Sequence, residues 1–311
     1  MSGSPKFTVS TSLDASEQEG AMPAWHQRYT QLGPGRFRGA NLHLDLGDVA
    51  VGEERSNVVL AETSAPPTGT VALCIPGQVN EGFINGVRKS APAFIHVGGA
   101  EIDIVTEGSS FGYYITVRES ALPGFDRAAF APLAAIGGAY PLAHELSAWA
   151  SAILTSAPEG MRRTPGEVDK VLPGYIIDRV AEICGYMAGG NSMPPLRGTD
   201  ALTLFRAALR CADEIDDTLL RVSHLASRLD VPEHILRAAF LQATGHTPRI
   251  WLRQRRLDRA RRALLDPETA RKGVTQIAMD CGFYHLGRFA AYYANTFHET
   301  PIDTVRSKLR A

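Results

Sequence analysis

Long apolar runs are missing from this sequence. None approaches the ~20 residues that span a bilayer, so no membrane passage is expected. The opening stretch MSGSPKFTVS has no basic start leading into an apolar core, so a secretory leader is not expected either and the chain reads as cytoplasmic. Cysteine is scarce. Cys74, Cys184, Cys211 and Cys281 stand far apart with no Cys-x-x-Cys, which excludes the spacing of a zinc knuckle and leaves reduced core thiols. Cys74 lacks the basic neighbours that would lower a thiol pKa, which argues against an alkyl-accepting role and for a small core residue. No His-x-His occurs, and His43 and His96 each stand alone in a separate alternating run. The clustered ligands of a metal-dependent barrel enzyme are therefore wanting, and neither a catalytic residue nor a metal or cofactor is expected.

Net charge is also nearly absent, at −1, but it is unevenly spread. Residues 201–311 hold 18 Lys/Arg against 12 Asp/Glu, or +6, which leaves −7 for residues 1–200. A basic C-terminal module on an acidic N-terminal one is the footprint of a chain that meets phosphates with one half only.

What the sequence does have is two textures. Residues 1–24 are rich in Ser, Gly and Glu without periodicity and read as a flexible tail. From Arg36 to Val117 short runs alternate at period 2, broken by Gly, Pro, Asn or Ser, as in Thr70–Ile75 and Tyr113–Val117. Such runs predict an antiparallel barrel or sandwich. Helical periodicity begins near Ala143 and returns over Gly166–Met187, whose broad apolar face suits either covering the barrel or pairing with a second copy. Gly189–Pro195 is the clearest linker, and helices dominate beyond it. The expected fold is α+β: an N-terminal antiparallel β-barrel with helices, then an all-α module. The boundaries read 1–24 tail, 25–160 barrel domain, 161–202 helical dimerisation or linker region and 203–311 helical module.

That module contains one plan twice. Val222-Ser223-His224-Leu225-Ala226, a turn at Leu229-Asp230-Val231, then Leu236, Phe240 and Thr247-Pro248 form the first copy. Val274-Thr275-Gln276-Ile277-Ala278, then Cys281-Gly282-Phe283, Phe289, Tyr293 and Thr300-Pro301 form the second. The first helices superpose at an offset of 52 and the second helices at 53, so the second turn holds one extra residue. A matched pair of helix-turn-helix units suits two successive major grooves of one duplex. The residues facing outward early in each second helix are Glu233, His234, Arg237 and Ala238, and His285, Gly287, Arg288 and Ala291. Arg237 and Arg288 are the base-reading candidates, since arginine can donate twice to guanine; binding phosphate alone is the alternative for either. Between the units, Pro248–Asp266 reads as a helix with a buried stripe of Trp251, Leu252, Leu257, Ala260 and Leu264. Of its seven arginines, Arg253 and Arg256 are candidates for phosphate, while others pair with Asp258, Asp266 or Glu268.

Thr244-Gly245-His246-Thr247-Pro248, Trp251-Leu252, Arg256-Leu257-Asp258-Arg259-Ala260, Ile277–Phe283 and Thr300-Pro301 together resemble the AraC/XylS family of transcription regulators. The string from Gly282 to Ala290 is similar to its XylS branch, and Tyr29–Gly39 more weakly resembles the opening of that branch's effector domain. The resemblance covers about residues 203–311. It implies a cupin-like N-terminal domain that binds a small effector and dimerises, and a regulator, commonly an activator, that contacts promoter double-stranded DNA and RNA polymerase. Two residues depart from the family: Ala291 stands where many members carry arginine, and His298 where glycine often ends the helix. An effector-free architectural DNA binder shares the C-terminal features and differs in predicting no ligand cavity in the barrel. The third alternative, a cupin-type metalloenzyme fused to a DNA-binding module, meets the ligand shortage described above.

Overall fold

Period-2 alternation puts successive side chains on opposite faces of a strand, and here most strands bury both faces. The computed structural model describes residues 6–22, 24–77, 82–88, 93–130, 133–135, 145–164, 166–191, 200–216 and 218–308. Strand β1 (Lys6–Ser12) leads into a short helix α1 (Ala15–Gln18), capped by Asp14 accepting from the Ser16 N–H at 2.9 Å. Then come β2 (His26–Gln31), β3 (Gly39–Asp45), β4 (Val49–Ser56), β5 (Leu60–Ala65), β6 (Thr70–Pro76) and β7 (Gly82–Ile84). Strands β8 (Val87–Arg88), β9 (Phe94–Val97), β10 (Ile102–Thr106), β11 (Ser110–Arg118) and β12 (Leu133–Ala135) complete the series. They pair antiparallel in a seven-stranded sheet, β1-β3-β4-β11-β6-β9-β12, and a five-stranded sheet, β2-β5-β10-β7-β8.

Two expectations change. Residues 6–18 are not a loose tail: β1 pairs with β3 from Lys6 opposite Asp45 to Ser12 opposite Gly39. As an edge strand it leaves Val9 64% exposed, so its alternation carries no core face for the sequence to reveal. Nor do the strands close into a barrel. Closure needs pairing all the way round, and among the described residues no ladder joins the two sheets. They face each other as open layers.

Helices α2 (Leu146–Arg163) and α3 (Glu167–Tyr186) lie on the outer face of the seven-stranded sheet. Val49, Val51, Leu73, Ile75, Ile95, Ile115 and Val117 meet Leu146, Ala150, Ile153, Ile176, Val180 and Ile183 in one core. The apolar face of the 166–187 helix thus covers the sheet, the first of the two roles open to it. A π-helical turn over Met187–Asn191 follows; the rest of the Gly189–Pro195 linker lies outside the described residues.

The C-terminal half is helical: α4 (Asp200–Glu214), α5 (Val222–Arg228), α6 (Glu233–Thr244), α7 (Pro248–Leu265), α8 (Pro267–Ala270), α9 (Gly273–Asp280), α10 (Leu286–Phe297) and α11 (Pro301–Lys308). Its first unit does not stand apart. Leu32, just past β2, and Val105 of β10 share a core with Leu202, Phe205, Leu225, Leu236, Phe240 and Trp251. Phe205 meets the Phe240 ring edge-on at 4.9 Å and Trp251 at 6.0 Å, an arrangement favoured by the ring quadrupoles. The second unit has its own core of Leu257, Leu264, Ile277, Phe289, Tyr293 and Phe297. The fold is α+β, with a sheet-rich N-terminal half and a helical C-terminal half.

Candidate nucleic-acid interface and ligand cavity

Each unit must reverse the chain between two helices within a few residues, which calls for one residue in left-handed conformation. Asp230 (φ 51) supplies it in the first and Gly282 (φ 78) in the second. Both turns close with the same bond: the Val231 N–H to the Ala226 carbonyl at 3.0 Å, and the Phe283 N–H to the Ala278 carbonyl at 2.9 Å. Ala226 and Ala278 are buried at the two crossings, where a larger side chain would hold the helices apart. The units end alike as well. Gly245 (φ 71) terminates α6 and His298 (φ 53) terminates α10. The family's usual glycine is therefore replaced without loss of the turn, and His298 bears the strain of a left-handed residue with a side chain.

The predicted reading residues are all exposed: Glu233, His234, Arg237 and Ala238 of α6, and His285, Gly287, Arg288 and Ala291 at the start of α10. Leu236, Ala239 and Phe240 on the opposite side of α6, and Phe289 and Tyr293 of α10, are buried.

The strut α7 is less open than its seven arginines suggested. Arg253 is half-buried with its guanidinium 4.7 Å from the centre of the Tyr292 ring, and Arg256 donates to the Leu220 carbonyl. These two phosphate candidates are thus engaged, at least in part, by the protein. Arg255 binds Asp213 at 2.6 Å. Arg261 pairs with Asp14 and with Glu299, and lies over the Phe297 ring at 4.7 Å. Arg262 pairs with Asp258 at 3.0 Å and Glu19 at 2.6 Å, and donates to the Tyr29 carbonyl at 3.0 Å. Of the expected internal partners Asp258 is one, whereas Asp266 caps Thr269 and Glu268 pairs with Arg271. Burial works to raise the Asp14 pKa, but the Arg261 guanidinium and the Ser16 hydrogen bonds hold it below the ordinary value. Burial pushes Asp258 up to about 6 despite Arg262 beside it. Further links run from Gln31 Nε2 to the Thr296 carbonyl at 3.0 Å and from Arg36 to the His298 carbonyl at 3.2 Å. Both units are therefore held against the N-terminal half.

Between the two sheets lies a cavity of about 180 Å³. The faces turned away from the helices line it: Glu54, Cys74, Phe94, His96 and Tyr114 from one sheet, Gln27, Tyr29, Leu60, Glu62, Ile102 and Ile104 from the other, with Gln18 of α1 and Met22 and Trp25 from the segment joining α1 to β2. Tyr29 donates to Glu54 at 2.6 Å, and Gln18 and Gln27 donate to the same carboxylate at 2.8 and 3.3 Å. Burial raises the Glu54 pKa against these donors. It raises Glu62 to about 8, with the Glu54 charge adding to it. Burial also drives the Cys74 thiol far up, which keeps it protonated and unreactive. His43 bonds Tyr114 Oη through Nδ1 at 3.0 Å, while His96 bonds the Ala100 carbonyl through Nε2 at 2.6 Å.

No effector residue is identified from the sequence alone. The available signal was the alternate face of these strands: Val49 and Val51 mark one side of β4, while Gly52, Glu54 and Ser56 share the other. An acid there, opposite a valine face, marks a buried surface that is not ordinary core. Asp14 and Glu19 gave no such signal, because their arginines lie more than two hundred residues away.

Two helix-turn-helix units of matching turn geometry, on one chain and joined by one helix, define the class of the C-terminal module. Residues 225–307 match a family model described as a helix-turn-helix domain. A relative from Pseudomonas putida, XylDLEGF operon transcriptional activator 3, is 36% identical over 173 residues, spanning 48% of this chain and 52% of its own length. Activator 2 of the same operon and organism is 35% identical over 101 residues, 32% of this chain and 64% of its own. Among solved structures, an AraC-type DNA-binding domain protein from Chromobacterium violaceum aligns with 25% identity, a TM-score of 0.32, and coverage of 35% of this chain and 95% of its own. The helical module thus carries a helix-turn-helix domain, and the chain is similar to transcriptional activators of the AraC/XylS type. It spans about half the length of the first of these relatives.

Proposed function

We propose that this chain is a DNA-binding transcription regulator that reads an asymmetric promoter site through α6 and α10 and responds to a small molecule held between its N-terminal sheets. The repeated turn geometry carries the reading: it presents equivalent exposed residues on two helices whose other faces are fixed in core. Arg237 and Arg288 take the base-reading role, with Glu233, His234, Ala238, His285, Gly287 and Ala291 around them. Arg253 and Arg256 belong to the phosphate side through whatever donors the protein leaves them. The relatives' names support activation. A cupin-like descent of the sheets, pairing of two copies, contact with RNA polymerase and residence in the cytoplasm complete the reading, carried over from the family.

The cavity favours an effector-responsive regulator over an architectural binder, which needs no enclosed space. The segment that walls the cavity is also the one that grips α7. Tyr29 reaches Glu54 with its hydroxyl and Arg262 with its carbonyl, and Glu19 accepts from the Tyr29 N–H at 2.7 Å. A ligand that shifts Tyr29 changes how firmly α7 is held, and so whether both reading helices reach their grooves.

The test selects binding sites from random duplexes with wild type and Arg288→Ala. Base readout at this position predicts relaxed preference at one base pair, by about 1–3 kcal/mol. Uniform weakening across all sequences would mean that Arg288 only binds phosphate.

A further inference from the structure

The cavity's unpaired polar atoms share one hydrogen-bonding sense. Among the described residues, the buried side-chain atoms of its wall without a partner are Gln18 Oε1, Gln27 Oε1 and His96 Nδ1. All three side chains are more than nine-tenths buried. Both glutamine amides donate to Glu54, which fixes their orientation and leaves each Oε1 over. His96 Nε2 faces the Ala100 carbonyl, which can only accept, so Nε2 carries the proton and Nδ1 keeps its lone pair. Burial holds the ring neutral by lowering its pKa to about 4. To these acceptors the wall adds the carboxyls of Glu54 and Glu62, and no lysine or arginine among the described lining residues. Arg55 does lie 5.2 Å from the Phe111 ring centre, but it is exposed and paired with Glu53.

Buried acceptors without donors are costly, and two carboxyls enclosed together resist ionising. An anionic guest would find no cation and would make both carboxyls harder still to ionise. A neutral guest would help neither of them to ionise. A cation lets the carboxyls ionise against it. Around the acceptors, Trp25 meets Tyr114 edge-on at 5.4 Å, and such rings attract a desolvated cation through their faces.

We infer that the cavity takes a small organic amine, its ammonium group donating to Glu54 and Glu62 and its apolar body lying against the aromatic and isoleucine side chains. The inference rests on the cavity being the effector site. A volume of about 180 Å³ exceeds the ~150 Å³ that holds a benzene ring, so one ring with a short amine arm fits.

The probes are benzylamine, benzyl alcohol and benzoate, which share a ring and differ in charge. Each is titrated calorimetrically into the full chain, and DNA binding is followed with and without it. The expected result is saturable binding of benzylamine, with the alcohol and the acid weaker by about tenfold or more, the size of a lost charge-assisted hydrogen bond. Glu62→Gln should narrow that preference by weakening benzylamine about tenfold, well beyond any loss for benzyl alcohol. Benzoate or benzyl alcohol binding as well as benzylamine overturns the cationic class and leaves an effector site standing. Silence from all three, with DNA binding intact, overturns it too. Benzylamine binding without any effect on DNA affinity upholds the ligand class and sinks the effector role.

Discussion

Two left-handed helix ends and one buried histidine show how much a single residue decides here. Gly245 and His298 occupy equivalent turns with φ of 71 and 53, yet only one is a glycine. A Cβ at 245 would stand 3.3 Å from Phe83 besides meeting the left-handed penalty. Gly245→Ala should therefore cost about 1–2 kcal/mol, whereas His298→Gly should gain up to about 1 kcal/mol. Urea midpoints of the two variants check this, and a destabilised His298→Gly would show that its side chain holds the turn. His96 sets a pH dependence. Its folded pKa, about 4, lies below the ordinary 6.5 because burial disfavours the charged ring. A group depressed on folding stabilises above its unfolded value and loses that stability as pH falls through the folded one. Between about pH 6.5 and about pH 4 the wild type should lose up to about 3 kcal/mol relative to His96→Gln. Glu62 and Asp258, raised on folding, act in the opposite sense but stand in both proteins. The difference between their unfolding free energies therefore isolates the histidine; a flat difference would place a charged or solvated imidazole at this site.

At the scale of elements, the crossings of α5 on α6 and α9 on α10 depend on small residues. Ala278 is fully buried, so Ala278→Leu should cost about 1–3 kcal/mol by overpacking. The DNA footprint should shrink to the half read by α6, while binding at the cavity persists. An unchanged footprint would mean that α10 does not reach the duplex. These helices were readable in the sequence because each keeps its apolar stripe against a local partner, and the repeat at 52 and 53 residues checks one copy by the other. The sheets were readable only as alternation. Alternation names two faces and not what covers them, so it gave neither the choice of open layers over a barrel nor the cavity face carrying Glu54 and Glu62. Strand β1 escaped because an edge strand with Val9 in solvent has little core-facing pattern to display. The arginines of α7 were visible as charge, but Asp14 and Glu19 are their partners only after the chain has returned from the other half.

Across the whole molecule, the halves are joined by a shared core at the first unit and by buried ion pairs along α7. Asp14→Asn leaves Arg261 with Glu299 and removes one charged hydrogen bond, a loss of about 2 kcal/mol. Hydrogen exchange should then rise along α1 and the second unit before the seven-stranded sheet opens. Uniform protection would show that the shared core alone holds the halves together. Tyr29 gives this joint a further property. Its hydroxyl belongs to the cavity and its carbonyl to α7, so under the proposed function one residue belongs to two binding equilibria. Thermodynamic reciprocity allows no one-way traffic through such a residue. Whatever factor an occupant of the cavity imposes on promoter affinity, the promoter must impose on the occupant. On the proposed reading the operator is an effector in its own right, and small-molecule sensitivity is set in part by how much of that DNA the cell contains.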